Sequence, residues 1–162
     1  MAFNRTLPEL YKIVDGSACP VTTNGGVTAD YVSLKNVQKA WIVAKFHQAA
    51  SHASVLQPTM ATDVAGTGVT NITAVQRWWK NADVSATDTL VKQTAAAAGT
   101  CTTGTTNQII VFEIDPDDFA AAGYDVLGCG VATSSQATNF VDITYYLLNR
   151  YQQATPPSSI LD

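Results

Sequence analysis

The sequence predicts an all-β protein: an antiparallel, jelly-roll-like β-sandwich of about eight strands with extended arms at both ends. Three observations predict it. Apolar residues alternate with period two in several short stretches. Turn signals separate those stretches, and the 3.6-residue periodicity of a long helix is missing. Of 162 residues, 21 are Thr, 23 Ala and 10 Gly, and Thr at that level favours strands and polar turns. A chain of this length can hold one core without staples, and no linker or internal repeat divides it. The expected organisation is an N-terminal arm over 1–30, a sandwich over 31–148 and a C-terminal arm over 149–162.

The arm 1–30 is expected because Leu7, Leu10, Tyr11, Ile13 and Val14 form an apolar stretch that Pro8, Asp15-Gly16 and Asn24-Gly25-Gly26 keep breaking. Residues 31–36 read as a short strand. In 39–48, Ala40, Ile42, Ala44 and Phe46 share one face, while Trp41 and Val43 share the other between Lys39 and Lys45. A strand apolar on both faces at its middle is expected to be central and partly covered on both sides. Residues 53–57 read as a strand ended by Pro58, and 59–65 as one helical turn closed by Gly66 and Gly68. A strand around 73–79 carries Trp78-Trp79, and 89–94 alternates loosely. Residues 95–106 read as an exposed, unanchored loop of Ala, Gly and Thr.

The clearest buried strand is 107–115, with Ile110, Phe112 and Ile114 on one side and Ile109 and Val111 on the other. Asp115-Pro116 then caps a short helical turn. Residues 124–131 form a strand loosened by Gly128 and Gly130. The last strand is 140–148, with Val141, Ile143, Tyr145 and Leu147 facing one way. The expected core is therefore Ile42, Ala44, Phe46, Ile110, Phe112, Ile114, Val141, Ile143, Tyr145 and Leu147.

Composition narrows the function. Charged residues are 14% of the chain and the net charge is -4, against about 25% charged in an ordinary domain. A basic stripe for nucleic acid is absent, no apolar run reaches the ~20 residues that span a bilayer, and no secretory pattern opens the chain. Synthesis in the cytoplasm, with neither a nucleic-acid nor a membrane partner, is the expectation. A low-charge, Thr-rich surface suits protein contact.

The candidate chemical constellations each have a plainer reading. Cys19, Cys101 and Cys129 are odd in number and carry no C-x-x-C spacing, so neither a zinc cage nor a disulfide framework is expected; Cys129 is read as core and the other two as loop residues. Glu113, Asp115, Asp117 and Asp118 are a calcium candidate, but lack the Gly and the further oxygen ligands of such a loop, and helix capping is favoured. His47 and His52 are five apart across a turn, the wrong spacing for a zinc pair. Trp78 and Trp79 point to opposite faces if in a strand, so one is core and the other a rim or interface anchor. No nucleophile elbow, phosphate loop or dinucleotide fingerprint occurs. Catalytic residues, metal ligands and cofactors are accordingly assigned to none.

Four segments resemble small structural proteins of tailed-bacteriophage virions: FNRTLPELYKIVDG at 3–16, DYVSLK at 30–35, VFEIDP at 111–116 and RYQQATPP at 150–157. The resemblance runs over most of the chain and contains no catalytic motif. It implies a non-enzymatic, β-rich virion component, most like a capsid decoration (cement) protein, with head-to-tail adaptors and tail proteins next. Its partners would be the major capsid protein and copies of itself, as dimer or trimer, and its location the capsid surface. A carbohydrate-binding sandwich with an aromatic shelf near Trp41 or Trp79 is the rival reading. Leu7, Leu10, Tyr11, Ile13, Ile160 and Leu161 are apolar residues outside the sandwich pattern, so they are the expected partner-binding residues: burying each stabilises by roughly 1.5–3 kcal/mol.

Overall fold

The computed structural model describes residues 6–120, 122–151 and 158–160. Two antiparallel sheets pack face to face, as the alternation predicts. The seven-stranded sheet runs β1 (Tyr11–Asp15), β13 (Asn139–Asn149), β5 (Val37–Gln48), β11 (Asn107–Ile114), β8 (Arg77–Asn81) and β9 (Val91–Lys92), with β2 (Val21–Thr22) also on β13. The six-stranded sheet runs β10 (Gly99–Thr100), β6 (Val55–Ala61), β12 (Val126–Val131) and β3 (Val27–Thr28); β4 (Val32–Ser33) pairs β12 and β7 (Thr70–Asn71) pairs β6. Single turns of helix precede β1 (α1, Leu7–Leu10) and follow β11 (α2, Asp117–Ala120).

Register explains the core. Across β11, β5 and β13, Ile110, Ala44 and Ile143 form one row and Phe112, Ile42 and Tyr145 the next. Every residue of the expected core is buried, joined by Ala40, Leu56, Leu127 and Cys129 among others. Phe112 stacks on Trp78 with ring centroids 5.6 Å apart and planes 9° from parallel. The Tyr145 hydroxyl lies 3.5 Å from the Cys129 thiol, a polar contact bridging the two sheets inside the core.

Several boundaries differ from the sequence reading. Residues 11–28 are not an arm: β1 and β2 pair with β13, and β3 pairs with β12. The stretch that resembled a broken arm is a five-residue strand in which Val14 packs against the core. Gly16 follows it, its N–H donating to the Ile143 carbonyl at 2.8 Å, and leaves no room for a side chain: a Cβ there would sit 2.6 Å from the Tyr145 ring. Strand β6 runs through Pro58, whose carbonyl accepts the Ile72 N–H at 3.0 Å. The expected helical turn at 59–65 is the end of β6 followed by a tight turn, in which Thr67 N–H donates to Asp63 Oδ1 at 2.9 Å. Gly66 and Gly68 serve that turn with φ of 81° and 64°.

The segment 95–106 is anchored rather than free. Gly99 and Thr100 pair with β6, Cys101 N–H donates to the Ser54 carbonyl at 2.9 Å, and Cys101 is buried. Behind it, Gln108 Nε2 donates to Gln48 Oε1 (2.6 Å) and to the Thr102 carbonyl (3.1 Å), while Gln108 Oε1 accepts from Thr102 N–H (2.9 Å). At the C-terminal end, Ser33 N–H donates to the Ser159 carbonyl at 2.7 Å, so 158–160 lie against β4.

Candidate interaction surface

Outward-facing side chains of the seven-stranded sheet are fixed by the same register that builds the core. One row reads Trp79, Val111, Val43 and Thr144; the next reads Arg77, Glu113, Trp41, Tyr146 and Ile13. Tyr11 stands beside Trp41, ring centroids 5.9 Å apart and tilted by 57°. Together Leu7, Tyr11, Trp41, Val43, Val111 and Tyr146 line a groove of about 360 Å³. This is the second apolar face that the sequence expects to be partly covered. Leu7 of α1 borders it, and Trp41, Val43, Val111 and Tyr146 are half-buried there.

Charge at the margin is paired. Glu113 accepts from Lys39 Nζ at 3.0 Å and from Arg77, and Lys45 bonds Asp142 at 2.8 Å. Such partly exposed pairs contribute little stability each, but they leave the apolar centre ringed by near-neutral polar groups.

A second groove, about 310 Å³, opens at the other end of the same face. Asn107, His47 and Phe140 lie side by side across β11, β5 and β13, with Ile109, Lys45 and Asp142 in the adjoining row. His47 Nδ1 is 2.6 Å from Asn107 Oδ1, and the His47 and Phe140 rings are 6.4 Å apart. Pro20 and Val84 wall it from the loops.

The expected partner-binding residues divide between two places. Leu7 and Tyr11 line the first groove and Ile13 extends its Trp41–Tyr146 row; Leu10 is half-buried on α1 beside them. Leu7 and Ile13 are 53% and 46% exposed, which leaves their apolar surface available. Ile160, also exposed, borders a different groove beside Thr28, Tyr31 and Val64. Leu161 lies outside the described residues. Sequence reasoning placed Trp41 on a surface only in the carbohydrate-shelf reading and missed Val43, Val111 and Tyr146 as partners of it, although the two-faced alternation of β5 and β11 was the signal for them.

The remaining constellations are dispersed. Asp115 caps α2, its Oδ1 accepting Asp117 N–H at 3.2 Å, whereas Glu113 faces Lys39 and Arg77. Among the described residues no group of three His, Cys, Asp or Glu side chains is placed to hold a metal ion. His52 turns toward Ser54, away from His47. Trp78 points inward, donating Nε1–H to the Thr94 carbonyl at 2.8 Å, and Trp79 outward. Burial pushes the Cys101 and Cys129 thiols up to about 12. Exposed Cys19 is also raised, chiefly by its hydrogen bond to Asp142, so none of the three is set up as a thiolate at neutral pH.

No protein-family model matches the sequence, and no curated protein does either. Among solved structures, the crystal structure of the SPBc2 prophage-derived protein YomS is similar at a TM-score of 0.45 and 10% identity, covering 86% of this chain and 93% of that one.

Proposed function

We propose that the chain is a non-enzymatic virion structural protein that docks on a phage capsid surface as a decoration or cement protein. The observation that carries this reading is the open face of the seven-stranded sheet, where Leu7, Tyr11 and Ile13 join Trp41, Val43, Val111 and Tyr146. Aromatic side chains in an apolar centre with a polar rim are how protein interfaces are built. The segment resemblance to tailed-phage structural proteins supports the setting, with the major capsid protein as the surface contacted and two or three copies of this chain as the docking unit.

The test is particle loading. Trp41→Gln and Tyr146→Gln change outward-facing residues, add no charge opposite Glu113 and replace no core residue, so both variants should stay folded with a cooperative melt. Each should lower occupancy on purified particles by roughly thirtyfold, the effect of losing a hot spot of about 2 kcal/mol. Folded variants that still load at the wild-type level would refute the face as the contact. Gold labelling at the connector or tail, rather than over the shell, would replace decoration by the adaptor reading.

A further inference from the structure

We propose that the second groove, between Phe140, His47, Asn107, Lys45 and Asp142, is a binding site for a neutral sugar ring. The inference does not depend on the capsid reading. It rests on the chemistry that the strand register assembles there.

The groove has one apolar wall and one polar row. Ile109, Val84, Pro20 and the Phe140 ring supply the wall. A pyranose ring has the matching character: C–H bonds on its faces, which pack on an aromatic ring, and hydroxyls around its rim, which both donate and accept. Asn107 Oδ1 is engaged by His47 Nδ1, which leaves the Asn107 amide N–H groups and the second His47 ring nitrogen for hydroxyls; Asp142 Oδ2 holds Lys45 in place while its Oδ1 is buried, and Lys45 donates. Such a mixture of apolar walls and a few placed polar groups is the ordinary make-up of a small-ligand site, and about 310 Å³ is at the small end of the usual range.

Other ligand classes fit worse. A phosphate or an acidic peptide needs surplus positive charge, but Lys45, the groove's one full cation, is held by Asp142 at 2.8 Å. A purely apolar ligand would strip water from Lys45 and Asn107 without replacing its hydrogen bonds. A neutral polyhydroxylated ring keeps the ion pair and offers partners to the rest.

The experiment uses the full chain, labelled with ¹⁵N, and amide spectra recorded during titration with glucose, galactose, rhamnose and N-acetylglucosamine, with inorganic phosphate as a separate arm. At least one sugar should shift amides on β11, β5 and β13 around 107–109, 45–47 and 140–142, saturating in the millimolar range. Phe140→Ala should weaken that sugar by roughly tenfold through loss of the ring contact. Asp142→Asn, which keeps the side-chain shape, should weaken it too, while both variants retain dispersed spectra. If Phe140→Ala loses dispersion, Phe140→Leu, which keeps apolar bulk without the ring, serves in its place. Flat titrations with all four sugars, shifts confined to the Trp41–Tyr146 groove, or binding of phosphate in place of sugar would each overturn the proposal. A groove that seats a protein loop instead would give the flat result.

Discussion

Gly99→Ala should destabilise the sandwich markedly, although it adds a single methyl group to a segment that the sequence presents as a featureless loop. Gly99 lies in β10, opposite Leu56, and its α-carbon faces the stacked Phe112 and Trp78 rings. A Cβ there would stand 2.8 Å from Phe112 Cε2, 3.1 Å from Cζ and 3.0 Å from Trp78 Cε3. Neither ring can step aside easily. Phe112 is fully buried, and Trp78 is tethered through Nε1 to the Thr94 carbonyl. Overpacking of this kind costs about 1–3 kcal/mol, and in a chain of this size each kcal/mol moves Tm by about 2–4 °C. The expected fall is therefore roughly 2–12 °C by thermal melt, with the urea midpoint lowered at unchanged slope. Gly104→Ala is the control: its nearest neighbours would be Thr106 and Thr102 hydroxyls at 3.6 and 3.7 Å, so Tm should hold or rise slightly. If Gly99→Ala melts with wild type while Gly104→Ala falls, the placement of β10 against the core is wrong.

Two further outcomes test other parts of the structure. Gln108→Leu leaves Gln48 Oε1 and the Thr102 backbone groups without their partner, which should cost about 1–3 kcal/mol in urea denaturation; the Gln48→Leu, Gln108→Leu pair should cost less than the sum of the two single changes, and strict additivity would count against the network. A thiol reagent at mildly alkaline pH should label Cys19 alone in the native protein, because Cys101 and Cys129 are buried; Asp142→Asn should speed that labelling by removing the contact that raises the Cys19 pKa, and an unchanged or slower rate would show that Asp142 does not govern this thiol.

The long strands were legible in the sequence because each carries its own alternation: 39–48, 107–115 and 140–148 fall on β5, β11 and β13, and their inward residues are the core. Short strands were not legible. Pairs such as Val27–Thr28 and Gly99–Thr100 contain too few residues to show a period, and only their neighbours define them as strands. Residues 11–15 misled for a related reason. On an edge strand with Ile13 outward and Val14 inward, both faces hold apolar residues, so the stretch resembles an arm. Small residues misled in the opposite direction: Gly99 lacks bulk because the core leaves it no room, and Cys101 is small yet buried, so their segment is not loose. The Leu7, Tyr11 and Ile13 part of the candidate surface is visible as apolar excess and Trp41 and Val43 as the partly covered second face of a central strand, but Tyr146 carries no signal of its own until the register sets it beside Trp41.

That partly covered second face is the unusual feature of the molecule. The outer face of the six-stranded sheet is partly covered by the chain's own loops. Gln57 reaches across it to the carbonyls of Pro58, Ile72 and Ala97, and the Tyr31 ring lies so close to Gly128 that a Cβ there would stand 2.5 Å from it. The seven-stranded sheet has no such lid among the described residues, yet Trp41, Val43, Val111 and Tyr146 stand outward on its central strands. The fold itself does not demand apolar residues at those positions, because Lys39, Lys45, Glu113 and Arg77 face the same way from β5, β11 and β8. An open antiparallel sheet is ordinarily polar on its solvent side, and a contiguous apolar patch invites aggregation unless something occupies it. The apolar centre of the seven-stranded sheet is therefore the part of the surface that the proposed capsid contact would cover, and the Trp41 and Tyr146 variants test it.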